Sequence, residues 1–136
     1  MATIFLMRHG EAESRASSDQ QRRLTDRGIL QIRANVAKLP TQIPMALYHS
    51  PLVRAEQSAQ LLIPYLNCQA VHCVDWLKPE TSVQVALSEV LSVSAETVLL
   101  VAHNPLLDAL ISELAGVPFG IYTFATGTLH EVHLDR

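Results

Sequence analysis

Charge is scarce in this sequence. Only 17% of its 136 residues are Asp, Glu, Lys or Arg, and 10 basic against 13 acidic residues leave a formal charge of -3. A chain of that balance has no broad cationic face, so nucleic acid is not an expected partner. Cysteine is scarcer still: Cys68 and Cys73 form no C-x-x-C pair and have no Cys/His cluster at zinc spacing. That argues against a disulfide framework and a structural zinc, and the expectation is a reduced, cytoplasmic protein. No apolar run approaches the roughly 18 residues of a membrane span. The amino-terminal run, 4–7, is also shorter than the roughly 7–15 apolar residues of a secretory signal core, so no membrane partner is expected. Absent too are G-x-x-x-x-G-K-[ST], G-x-G-x-x-G and G-x-S-x-G, the signatures of ATP, dinucleotide and serine-hydrolase sites.

What the sequence does have is apolar content, 49% of residues, enough for one core. At this length a single domain over 1–136 is expected. Short apolar runs at 3–7, 45–48, 69–74 and 97–102 read as strands, and 128–134 alternates like a strand at a sheet edge. Between them lie helical patterns. Thr25 caps a helix whose stripe is Ile29, Ile32, Val36 and Leu39, ended by Pro40. Ser50 and Pro51 read as N-cap and first helical residue of a helix burying Ala55, Ala59, Leu62 and Leu66. Residues 81–93 read as a helix with Val83, Leu87, Val90 and Leu91 inward. Asn104 and Pro105 open a helix with Leu107, Leu110, Ile111 and Leu114 inward, stopped by Gly116. Alternating strands and helices predict an α/β three-layer sandwich, its central sheet largely parallel with an antiparallel edge strand.

The first 39 residues hold seven basic and four acidic residues, and the remainder three and nine. Arg15, Arg22, Arg23 and Arg27 are interrupted by Asp19 and Asp26, which reads as a solvated face and only as a candidate docking surface. Residues 11–23 are polar and without period, a loop directly after a charged strand end.

Three strand ends carry Arg8-His9-Gly10, His49-Ser50-Pro51 and His103-Asn104-Pro105. In an open α/β sheet, ligands bind beyond the carboxyl ends of the strands, so these segments are expected at one crevice. Two of them open into helices, whose amino termini favour an anion. Arg54, one turn into its helix, leans back toward that crevice. Two guanidinium forks, from Arg8 and Arg54, match the several acceptor oxygens of a phosphoryl group better than a planar carboxylate.

Leu6-Met7-Arg8-His9-Gly10-Glu11, Leu24-Thr25-Asp26-Arg27-Gly28, the run from Ser50 through Arg54 to Ala59, and Val101-Ala102-His103-Asn104-Pro105 together resemble the histidine phosphatase superfamily. The four segments occur in order along most of the chain. The compact length, without a cap insertion, is most similar to the SixA-type phosphohistidine phosphatases. The resemblance implies that His9 is the nucleophile and becomes phosphohistidine, which water then hydrolyses. It further implies that Arg8, Arg54 and a protonated His103 bind the phosphoryl oxygens and stabilise the in-line transition state, with no metal or other cofactor. Gly10 is a candidate substrate contact, allowing backbone near His9 to approach the phosphoryl group, or is simply a turn residue. No matching motif supplies a general acid. Glu80 is a candidate by location, or an exposed residue at a helix start.

The expected function is therefore hydrolysis of phosphohistidine on a signalling protein. A small phosphate ester is the alternative substrate, and a non-catalytic phosphate-recognition module the alternative class. Glu11 is a candidate to orient a site group. His49 ends a strand and stays outside the catalytic set. His130 and His133, an odd number of residues apart on a strand, point to opposite faces and do not form a metal pair.

Overall fold

In the computed structural model, which describes residues 1–135, five strands form one sheet and four α-helices cover its two faces. The strands are β1 (Ala2–Arg8), β2 (Met45–His49), β3 (Cys68–Cys73), β4 (Thr97–Ala102) and β5 (Leu129–Leu134). Their order is β3-β2-β4-β1-β5. The β1–β4, β2–β4 and β2–β3 pairs are parallel, and β5 runs antiparallel to β1, as the sequence predicts for the edge strand.

The helices are α1 (Asp26–Ala34), α2 (Val53–Leu62), α3 (Val83–Ser92) and α4 (Leu106–Ala115). Strand residues alternate between two cores. Ile4, Leu6, Val98, Leu100 and Ala102 pack with α3 and α4. Phe5, Met7, Leu99 and Val101 pack with α1 and α2 on the other side. This two-sided burial is why the strands read as continuous apolar runs. All six residues of β4 are buried, whereas β3, at the edge, is mostly exposed.

Several boundaries depart from the sequence reading. Thr25 caps α1 as predicted, its side chain accepting from the Gly28 N–H at 3.0 Å. The α-helix nevertheless stops at Ala34 and continues as a 3₁₀ turn over Asn35–Lys38. There the buried Asn35 amide turns inward to donate to the Gly127 carbonyl at 2.8 Å. Ser50 is not the N-cap of α2. Its hydroxyl accepts from Leu52 N at 3.2 Å, closing a local turn that delays the helix to Val53. Pro105 similarly stands at the N-cap of α4 rather than inside it, while the Asn104 side chain accepts from Asp108 N at 3.2 Å.

Leu91, expected inward, is exposed on α3. The buried stripe follows Ala86 and Val90, with Val83 and Leu87 flanking, and Leu91 is one residue round the helix from it. Gly116 ends α4 in the left-handed conformation, φ 67°, as its position predicts. No helix among the described residues is long and apolar enough to cross a membrane.

Candidate active site

The carboxyl ends of β2, β4 and β1 are adjacent in the sheet, which gathers the segments after His49, Ala102 and Arg8 at one edge. A cleft of about 420 Å³ opens there, lined by Arg8, His9, Asp19, Arg22, Arg54 and His103 among others. A larger groove of about 490 Å³ lies where β2 and β4 begin, at Met45 and Thr97, but its lining holds no arginine or lysine. Chemistry, not size, distinguishes the two.

Each cleft side chain is held by its element. His9 follows β1 directly, its N–H donating to Ala102 carbonyl at 3.1 Å, so the ends of β1 and β4 are stitched together. The His9 Nδ1 lies 2.7 Å from the Gly10 carbonyl. A carbonyl can only accept, so the hydrogen is on Nδ1 and Nε2 carries the free lone pair. His103 follows β4, with its ring centroid 4.9 Å from that of His9. It is only 1% exposed, and neither ring nitrogen has a hydrogen-bond partner. Arg8 donates from Nη1 to the Phe124 carbonyl at 3.0 Å. Its Nε and that of Arg54 are buried without partners. Buried polar groups left unpaired in this way are costly unless a ligand completes them.

Three arginines crowd the two imidazoles. Burial, above all, lowers the His9 pKa to about 4, with Arg54, Arg8 and Arg22 adding to the effect against the Gly10 hydrogen bond. Burial first, then His9, Arg54 and Arg8, push His103 down to about 2. Both rings are therefore neutral near pH 7. For His9 that is the nucleophilic form.

The remaining sequence candidates sit as follows. Gly10 is not among the lining residues: its N–H donates to Ser58 Oγ at 3.1 Å. The reason for a glycine there is packing, because an added Cβ would meet the Gly28 carbonyl oxygen at 2.5 Å. Ser58 in turn donates to the Arg54 carbonyl at 2.7 Å, which ties the His9 loop to α2. Glu80 is exposed, and its neighbour Pro79 lines the cleft instead. His49 is buried outside the lining, with Nδ1 2.8 Å from the Ser50 carbonyl. None of residues 50–53 lines the cleft, so α2 contributes Arg54 rather than its first-turn N–H groups.

Asp19 and Arg22, which the sequence places on a solvated face, line the cleft. They belong to the loop between β1 and α1, which forms a 3₁₀ turn at Asp19–Gln21. Backbone bonds from Glu13 N to Arg23 O and from Thr25 N to Glu11 O draw that loop into a hairpin. Leu24 N, donating to Gln57 Oε1 at 2.8 Å, fastens it to α2. Their spacing of three residues, fit for an ion pair on a single turn, was the available signal.

The family model of the histidine phosphatase superfamily (branch 1) matches residues 4–78, which include Arg8, His9 and Arg54. The chain belongs to the histidine phosphatase superfamily. Among solved structures of similar fold, the protein histidine phosphatase SixA complexed with tungstate is 27% identical. That alignment covers 98% of this chain and 88% of that one, with a TM-score of 0.87. A protein described as SixA from Nakamurella multipartitia is also 27% identical, covering 96% of this chain and 83% of that one at TM-score 0.75. One from Agrobacterium tumefaciens, 21% identical and covering 98% and 92% at TM-score 0.78, shares the fold. Comparison with curated proteins finds no match. Superfamily and neighbours together support a phosphatase.

Proposed function

We propose that this phosphatase hydrolyses phosphohistidine on a protein, through a covalent phosphohistidine on His9. The observation that carries the reading is the His9 ring itself. It is neutral, fixed by the Gly10 carbonyl with its lone pair on Nε2, and set among three arginines in an anion-sized cleft. In the first step Nε2 attacks phosphorus, and the phosphorus–nitrogen bond to the substrate imidazole breaks with its electron pair leaving on that imidazole. In the second, water attacks phosphorus, the bond to Nε2 breaks with its electron pair returning to Nε2, and hydrogen phosphate departs while the water's other proton passes to solvent, balancing the proton that the departing imidazole took up.

Arg8 and Arg54 bind the equatorial oxygens, whose charge is spread in the transition state. His103, neutral when the cleft is empty, gains a proton as the phosphoryl dianion enters and donates it to a phosphoryl oxygen. The carboxylates that line the cleft, Glu11 and Asp19, favour a phosphoramidate substrate over an alkyl ester. Glu11 accepts from Thr25 Oγ1 at 3.3 Å and pairs with Arg27 at 3.5 Å. Arg22 and Arg54 hold Asp19 ionised, its pKa below the usual carboxylate range. Asp19 held in that form is not a proton donor for an alkoxide. An imidazole leaving group carries its own second nitrogen for protonation and needs that help less.

Phosphate release from a phosphohistidine protein and from an aryl phosphate, measured side by side with His9→Ala as control, tests the proposal. The expected result is faster release from phosphohistidine, abolished in the variant, with a phosphoenzyme trapped in the wild type by rapid alkaline quench, under which the phosphorus–nitrogen bond survives. Preference for the ester would instead support a small-molecule substrate. The position of Glu80 next to the cleft-lining Pro79 favours that second reading. Its signature is an alkaline decline in the pH–rate profile that disappears in Glu80→Gln. No turnover on either compound, with phosphate still bound, would point to a recognition module.

A further inference from the structure

The guanidinium of Arg54, the deepest cation of the cleft, is not free. Its Nη1 donates to the Asp19 carbonyl at 2.8 Å, and its Nη2 lies 3.3 Å from Asp19 Oδ2. The other carboxylate oxygen of Asp19 accepts from Arg22 Nη1 at 3.0 Å. One carboxylate thus bridges two arginines that both line the cleft, while Arg54 Nε remains buried and unpaired. The partners are unequal in setting: the Arg54 side chain is 6% exposed and that of Asp19 65%. The cation is fixed in the fold, and the anion is carried by a solvent-facing turn.

A carboxylate offers two oxygens in a plane, and a phosphoryl group offers three around phosphorus. A phosphoryl group entering between Arg8 and Arg54 therefore competes with Asp19 for the same donors, and two anions cannot share them without repulsion. We propose that Asp19 is a resident counter-anion of the phosphoryl site, which the incoming phosphoryl group displaces, and that Arg22, released with it, becomes a third arginine on that group. This rests on the reading of the cleft as a phosphate site. It assigns Arg22 to substrate binding, and it makes the turn Asp19–Gln21 a strap whose contact with Arg54 lowers affinity. With Asp19 between them, Arg22 and Arg54 are held together against their mutual repulsion. The apparent affinity for phosphate is reduced by the fraction of molecules in which Arg54 is already taken.

The sign of one measurement separates this from a positioning role. If Asp19 served only to orient Arg54 for phosphate, its removal would weaken binding. If it competes, removal strengthens binding. Inorganic phosphate is titrated into the full chain at constant ionic strength, by calorimetry, for wild type, Asp19→Asn, Arg22→Gln, the double variant and Arg54→Ala. Because the pair is largely solvent-exposed on the Asp19 side, Asp19→Asn is expected to tighten phosphate binding by about two- to fivefold. Arg22→Gln is expected to weaken it several-fold, and more so in the Asp19→Asn background, where Arg22 keeps its Nε bond to the Glu13 carbonyl but its Nη1 is no longer held by a carboxylate. Unchanged or weaker binding in Asp19→Asn overturns the displacement, and unchanged binding in Arg22→Gln overturns the third-arginine role. Arg54→Ala separates the two levels: if it leaves phosphate binding intact, the phosphate-site reading itself fails, whereas loss of binding there with no gain in Asp19→Asn sinks only the counter-anion.

Discussion

His9 and His103 face each other with ring planes tilted by 53°, one at the end of β1 and one at the end of the neighbouring β4. Both are buried, and both have pKa values pushed below 6.5, to about 4 and about 2. In the unfolded chain each would take up a proton as pH falls through about 6.5. The folded state refuses these protons until far lower pH, so unfolding binds protons and stability is lost as pH falls. For His9 the window runs from 6.5 down to about 4, and its contribution is on the order of 3 kcal/mol. Urea unfolding at several values across that window should show stability falling with pH, and the fall should shrink in His9→Gln. A wild-type profile flat from pH 6.5 to 4 would contradict the burial of neutral imidazoles.

Ligand binding should reverse part of that suppression. Burial above all, with the charges of Arg54 and Arg8, keeps the proton off His103, and a phosphoryl dianion among them brings the opposite charge. Binding of inorganic phosphate near pH 7 is therefore expected to be accompanied by net proton uptake. Calorimetric titrations in two buffers of different ionisation enthalpy measure it directly. The uptake should fall markedly in His103→Gln, a variant whose side chain can still donate a hydrogen bond. Equal uptake in wild type and variant would mean that the proton goes elsewhere.

The strand ends were legible in the sequence because each closes an apolar run that strand burial explains, and Arg8, His9 and His103 stand directly after such runs. Parallel order then brings those ends together without further information. Arg54 was legible for a related reason, since the direction of helical side chains carries it back to the cleft. Asp19 and Arg22 were not, because their place in the cleft depends on a contact between Asp19 and Arg54 across 35 residues of chain that no local period encodes. The starts of α2 and α4 were misjudged because Ser and Asn before proline serve equally well for a cap or a local turn. Leu91 was misjudged because helical spacing offers adjacent stripes, and only the packing of Ala86 and Val90 selects one.

One glycine next to this machinery, set against one at the far end of α4, yields the last prediction. Gly28, in the first turn of α1, lies against the backbone of Glu11, and an added Cβ would come within 2.1 Å of the Glu11 carbonyl oxygen. That oxygen cannot swing aside like a side chain, because it accepts from Thr25 N at 3.0 Å. Gly28→Ala must therefore separate α1 from the segment that follows His9. It is expected to destabilise the protein by about 1–3 kcal/mol and to lower phosphatase activity, although Gly28 itself contacts no substrate. Gly116→Ala provides the comparison: it strains a left-handed residue, φ 67°, but a Cβ there meets nothing within 4 Å. That variant should lose stability, by about 1 kcal/mol, without loss of kcat at temperatures where it is folded. Urea midpoints and kcat measured together distinguish the two, and a Gly28→Ala protein with native stability and full activity would show that the α1 contact does not hold His9 in place.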